Sequence, residues 1–104
     1  MKRNEIIETL RTITSTNNDE IKQIAKLGMT KERATQGRFV AEGSRVCMTL
    51  LQAGYKPQQI YVTAQEAADQ FCPIVTDKKV TLVSDHVMEK ISQTTTPSGI
   101  LGVF

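Results

Sequence analysis

The sequence contains no tryptophan and only three phenylalanines and two tyrosines. Its core must therefore be built mainly from Ile, Leu, Val, Ala and Met. So few aromatic residues also argue against a broad platform for stacking single-stranded bases. There is one histidine, His86, and there are two cysteines, Cys47 and Cys72. They form no C-x-x-C pair and no metal-ligand spacing, so no metal site is expected. A chain with so little cysteine fits the reducing cytoplasm, with both thiols free. Cys47 lies in an apolar helical pattern and is expected in the core, whereas Cys72 precedes Pro73 near a turn. No run approaches the roughly 18 apolar residues of a membrane span. The opening MKRNEIIETLRTI is charged throughout, which excludes a signal-peptide core. Nucleotide loops of the G-x-G-x-x-G and P-loop kinds, H-E-x-x-H and G-x-S-x-G are all missing. Asp77 and Asp85 read as turn and helix-start residues. His86 falls in the first turn of a helix, with no acid or nucleophile at a recognisable spacing, and is expected to be exposed and structural. No catalytic residue is assigned.

The 104 residues suit one domain, and 39% apolar with 23% charged residues is a globular composition. Net charge is only +2, but residues 1–45 hold nine of the thirteen cations and six of the eleven anions. Between Ile21 and Arg38 stand Lys22, Lys26, Lys31, Arg33 and Arg38 against Glu32 alone. Such a segment is either a polyanion footprint or a solvated helix face.

The hydrophobic pattern predicts strands alternating with helices. Asn17 and Glu20 have capping-box spacing for a helix whose stripe is Ile21, Ile24, Ala25 and Leu27, ended at Gly28. Thr30 can cap a second short helix through Gln36, with Gly37 at its end. RFVAE (38–42) reads as a short buried strand, and Gly43–Ser44 turns it into a helix running to Gly54. QQIYVT (58–63) is a strand and AQEAADQF (64–71) a short helix. KVTLV is a further strand, SDHVMEKIS a helix capped by Ser84, and ILGVF a last, continuously apolar strand of the kind found in buried parallel sheets. Ile6, Leu10 and Ile13 suit a helix, while TITS (12–15) suits an edge strand. This order predicts an α/β fold, a three-layer α/β/α sandwich with a mainly parallel sheet and helices on both faces.

Two stretches carry candidate chemistry. A helix beginning after Gly43 points free N–H groups outward, with Arg45 in its first turn; it could hold a phosphate, or Ser44 could simply cap the helix. Glu42, at the strand end, would repel a phosphate beside it and could instead accept backbone N–H groups across a turn. TTTPSG (94–99) offers hydroxyls and amides for phosphates and riboses, although turn chemistry explains the same residues. Phe39 is expected in the core. Tyr55 either stacks on a base or packs a turn.

The order of ITSTNNDEIKQIAKL, KERATQGRFVAEGSRV and SQTTTPSGILGV resembles the N-terminal substrate-binding domain of SpoU/TrmH-type RNA ribose 2′-O-methyltransferases. The resemblance spans about residues 12–104, leaving 1–11 as an N-terminal extension. Its most specific parts are Phe39-Val40-Ala41-Glu42-Gly43, with Lys31 or Arg33 shortly before, and Thr96-Pro97-Ser98-Gly99 before the final strand. Asn18 stands where proline is common in the family, and Ser98 where glutamine is. The resemblance implies a sandwich similar to the ribosomal proteins that bind kink-turn RNA. It also implies a separate knotted domain, expected after Phe104, that binds S-adenosylmethionine, methylates a ribose and dimerises. No cofactor is expected in this chain. Its partners would be ribosomal or transfer RNA, the catalytic domain of the same polypeptide and, for the whole protein, a second copy; no membrane is expected. Lys22, Lys26, Lys31, Arg33, Arg38 and Arg45 are the expected RNA contacts. Phe39, Glu42, Gly43, Thr96, Pro97 and Gly99 are expected to be mainly structural. Two other readings share the basic segment: a free-standing kink-turn binder, and an interaction or dimerisation domain with no nucleic-acid role.

Overall fold

The short apolar runs become strands of one sheet in the computed structural model, which describes residues 11–68 and 80–104. The strands are β1 (Arg11–Ile13), β2 (Val40–Glu42), β3 (Gln59–Val62), β4 (Val80–Val83) and β5 (Ile100–Val103). The helices are α1 (Asp19–Ala25), α2 (Thr30–Gln36), α3 (Ser44–Gln52), α4 (Ala64–Ala68) and α5 (Asp85–Ile91), with a 3-10 turn at Lys26–Gly28 after α1. Strand order is β1-β4-β3-β5-β2. Thus TITS contributes to an edge strand, and Ile13 is a strand residue. Ile6, Leu10, Cys72 and Asp77 lie outside the described residues, as does the end of the helix expected over 64–71.

Side chains alternate across each strand, and both sheet faces are covered. Ile13, Tyr61, Val83, Leu101 and Val103 point to one face and pack under Ile21, Ile24 and Leu27 and under Val87, Met88 and Ile91. Ile60, Val62, Val80 and Ile100 point to the other, under Cys47 of α3 and Ala67 of α4. The result is the three-layer sandwich expected, with α1 and α5 on one face and α3 and α4 on the other. Phe104 folds back over Gly102: a Cβ there would meet the Phe104 ring at 2.7 Å and Cys47 Sγ at 3.2 Å.

The direction of β5 departs from expectation. β1, β4 and β3 are mutually parallel, but β5 is antiparallel to both β3 and β2. A strand buried on both faces reads as one apolar run whichever way it points. Its direction is set by the connection instead. Val62 pairs with Leu82 on one side and with Ile100 on the other, so the chain leaves β4 and enters β5 at the same end of the sheet. A crossover to the opposite end of the strands would have made it parallel.

The caps also shift. Asn18, not Asn17, caps α1, its side chain accepting from the amides of Glu20 (2.8 Å) and Ile21 (3.3 Å). The capping box does not form: with Asn18 as cap, Glu20 is the second helical residue instead of the third, and its carboxylate binds Arg11 and Tyr61. Met29 and Gly43, rather than Thr30 and Ser44, hold the cap positions of α2 and α3 without a side-chain bond. Ser84 caps α5 as expected, through Val87. Phe39 is not a core residue. It precedes an edge strand, so only one side is covered: it is 37% exposed, with its ring stacked on Phe104 at 5.9 Å.

Candidate nucleic-acid interface

The first turn of α1 is tied to the sheet by a polar network. Arg11 grips Glu20 with two bonds, at 2.9 and 2.7 Å, and also reaches Thr81 Oγ1. The Tyr61 hydroxyl donates to the same Glu20 carboxylate. Burial alone would raise the Glu20 pKa, but bonds from Arg11 and Tyr61 outweigh it and hold the carboxyl below its ordinary range. Burial, and then the bond to Glu20, push the Tyr61 phenol well above its ordinary value. With Ile21, Ile24 and Leu27 buried beneath it, α1 is fixed in rotation, and Lys22 and Lys26 are held outward.

The six expected cations do not form one surface. Arg33 donates to the carbonyls of Leu27 (2.9 Å) and Gly28 (3.1 Å) and to Thr30 Oγ1 (2.9 Å). Its planar fork caps the turn after α1. Arg38 donates to the side chains of Gln36 (2.8 Å) and Gln58 (3.3 Å). Lys31 is exposed on α2. Arg45 is exposed on α3, on the opposite side of the sheet from Lys22 and Lys26.

A cation that sequence reading passed over completes the cluster. Packing of α5 against α1 brings Lys90 to Lys22 and Lys26, and the three lysines line an open groove of about 390 Å³ with Gln23, Ala25 and Met29. Among the described residues the salt bridge is Arg11–Glu20, and His86 stands 3.9 Å from Glu89; neither contact involves these lysines, so none of them is neutralised by an ion pair. Charges left uncompensated on one face attract a polyanion. Only the tertiary pairing of two distant helices reveals Lys90. The Val87–Met88–Ile91 stripe that seats α5 was the available signal.

The two candidate stretches, EGSR and TTTPSG, meet through the start of the loop after α5. Glu42 accepts from Ser92 Oγ (2.7 Å) and from the Gln93 amide, tying the end of β2 to the loop after α5. This is the cross-turn role expected of that carboxylate. Gly43 bonds Ile100 O at 3.0 Å and has φ of 93°, a conformation that favours glycine. Gly99, at φ 88°, sits so near Thr63 that a Cβ would lie 3.0 Å from Oγ1. Pro97, Ser98 and Gly99 border a second cleft, of about 330 Å³, into which Glu66, Asp85 and Glu89 bring three carboxylates. Its charge is wrong for phosphate. Thr96 is exposed in the same loop, His86 is exposed beside Glu89, and Tyr55 is 54% exposed.

The family model described as the MRM3-like substrate binding domain matches residues 18–102. Among solved structures, an RNA 2′-O ribose methyltransferase superposes with a TM-score of 0.74 at 35% identity, over 88% of this chain and 36% of that one. An AdoMet-bound rRNA methyltransferase from Sinorhizobium meliloti gives 0.70 at 24% identity, over 91% and 36%. A putative RNA methyltransferase of the TrmH family from Porphyromonas gingivalis gives 0.64 at 24%, over 85% and 34%. The last two speak for the fold alone. The chain thus spans about a third of the length of these relatives. No curated protein matches the sequence.

Proposed function

The chain belongs to the family of MRM3-like substrate-binding domains, and on that premise we propose that it recognises structured RNA through the α1–α5 lysine groove on behalf of a ribose 2′-O-methyltransferase. The observation that carries this reading is the convergence of Lys22, Lys26 and Lys90, without ion-pair partners, on one rigid face. Phosphates supply most of the affinity of such an interface, and three unpaired ammonium groups suit them. Lys31 lies on the following helix and can extend the track. Arg45 would make a separate contact, since α3 covers the other sheet face. Arg33 and Arg38 act first as struts that fix the turn after α1 and the approach to β2.

The relatives' chains extend well beyond the matched third. We place the chemistry in a corresponding catalytic part of the same polypeptide, with dimerisation there and a cytoplasmic location for the whole. S-adenosylmethionine, when bound to that part, would supply the methyl group. The two clefts of the described residues are open and lined by lysines or by carboxylates and hydroxyls. We assign no step of the methyl transfer to this chain. Its role is to hold RNA.

Replacing Lys22, Lys26 and Lys90 together by Glu is expected to abolish binding to ribosomal RNA while the circular dichroism spectrum and melting curve stay as they were. Unchanged affinity in that variant would refute the groove as the interface. An immunoblot of source cells with an antibody to this domain is expected to show a band more than twice the domain's mass. A band at the domain's own mass would favour the free-standing binder.

A further inference from the structure

The lysine groove has a feature that phosphate binding does not use. Met29 lies in it and is 54% exposed, one of few large apolar side chains left to solvent. Ala25 adds a second apolar wall. Gln23 lines the same groove; its backbone carbonyl accepts from Gln36, and its side-chain amide makes no hydrogen bond among the described residues. We infer that this groove holds one unpaired nucleotide of the RNA, with Met29 against the face of the base, Gln23 at its edge and the lysines on the flanking phosphates. The inference rests on the RNA-binding reading above and deepens it.

Three physical points favour this occupant. A volume of about 390 Å³ lies in the lower part of the ~300–1,000 Å³ range of small-ligand sites. A base pair inside a helix hides both of its faces, so a duplex would leave Met29 in water; an unstacked base presents a π surface. RNA readers usually offer an aromatic ring to such a base. This chain has few, and a polarisable thioether is the next best surface against a π system. Finally, the Gln amide carries both a donor and an acceptor, which matches the edge of a base rather than a bare phosphate. An acidic peptide could satisfy the lysines but gives Gln23 and Met29 no paired task.

The test is fluorescence anisotropy with two hairpin RNAs that differ only in a single-nucleotide bulge. The wild-type chain is compared with Met29→Ala, Gln23→Ala and Lys90→Gln. The wild type is expected to prefer the bulged hairpin by about tenfold. Met29→Ala and Gln23→Ala should each weaken binding of the bulged hairpin about two- to tenfold. They should leave the paired hairpin and the salt slope unchanged, whereas Lys90→Gln should weaken both RNAs and lower the slope. Both neutral positions are exposed, so folding is retained and a melting curve verifies it. Equal loss on both hairpins, or no loss on either, would overturn the nucleotide pocket while leaving RNA binding intact. A wild-type chain that bound neither hairpin would remove the underlying reading as well. An acidic peptide that bound more tightly than either RNA, and in a Met29-dependent way, would transfer the groove to a protein partner.

Discussion

Replacing Glu42 by Ala should loosen the molecule at one definable joint. The Glu42 carboxylate is the link between the end of β2, an edge strand, and the loop that leads from α5 to β5. It accepts the Ser92 hydroxyl at 2.7 Å and the Gln93 amide. Hydrogen bonds to a charged group contribute about 1.5–3 kcal/mol each when shielded from water. Gln93 is exposed and Ser92 half-buried, so water can replace part of what is lost. A net loss of about 2 kcal/mol is therefore expected. With a urea m-value of about 1.5 kcal/mol/M, the unfolding midpoint should fall by about 1.3 M. Glu42→Gln keeps the shape and one acceptor, and should fall by about half as much. Urea titrations followed by circular dichroism measure both. The salt slope of RNA binding, measured where the variants are folded, should stay as it was, because the three lysines of the groove are untouched. A Glu42→Ala midpoint within 0.3 M or so of wild type would refute the strut, and the carboxylate would need another explanation.

Gly102→Ala should destabilise by about 1–3 kcal/mol, since the added methyl meets the Phe104 ring at 2.7 Å; thermal melts measure it. The raised Tyr61 pKa works in one direction. The folded state keeps the phenol protonated above its ordinary 10.0, so stability is full below about 10 and falls as pH rises beyond it. Tyr61→Phe should flatten that alkaline decline in urea titrations across pH 9–11. Arg33→Ala should cost stability by stripping the carbonyls of Leu27 and Gly28 of their donor, and should leave the salt slope of RNA binding where it was. Arg45→Ala should do the reverse if α3 touches RNA: an unaltered melt and a slope shallower by about 0.7–0.9.

The order of elements was legible because each short apolar run ends at a residue with a local reason to stop it. Gly37 closes α2 in the left-handed conformation, and Ser84 opens α5. Details that depend on the third dimension were not legible. Asn17 and Asn18 are equally good caps on paper, and the choice fell to the one whose neighbour Glu20 was free to bind Arg11 and Tyr61. Phe39 looks like a core residue until its strand is known to be an edge. The direction of β5 depends on where the preceding loop returns. For the site, charge alone made Arg33 equivalent to Lys26. Geometry separates them, since a guanidinium fork fits two carbonyls at once and an ammonium at the groove rim keeps its charge for a ligand. Lys90 has no other cation beside it in the chain, and its only local signal is the apolar stripe that seats its helix. Its relevance arises only because Val87, Met88 and Ile91 pack α5 beside α1.

The most direct test of RNA recognition by the α1–α5 groove is the salt dependence of binding to ribosomal RNA, for the wild-type chain and for Lys22→Gln, Lys26→Gln and Lys90→Gln combined. Three phosphates neutralised by the groove predict a wild-type log–log slope of about −2 to −3, with any further contacts from Lys31 or Arg45 steepening it. The triple variant should be shallower by that same amount and bind correspondingly more weakly. An identical slope in the two proteins would place the RNA elsewhere on the surface and contradict the account.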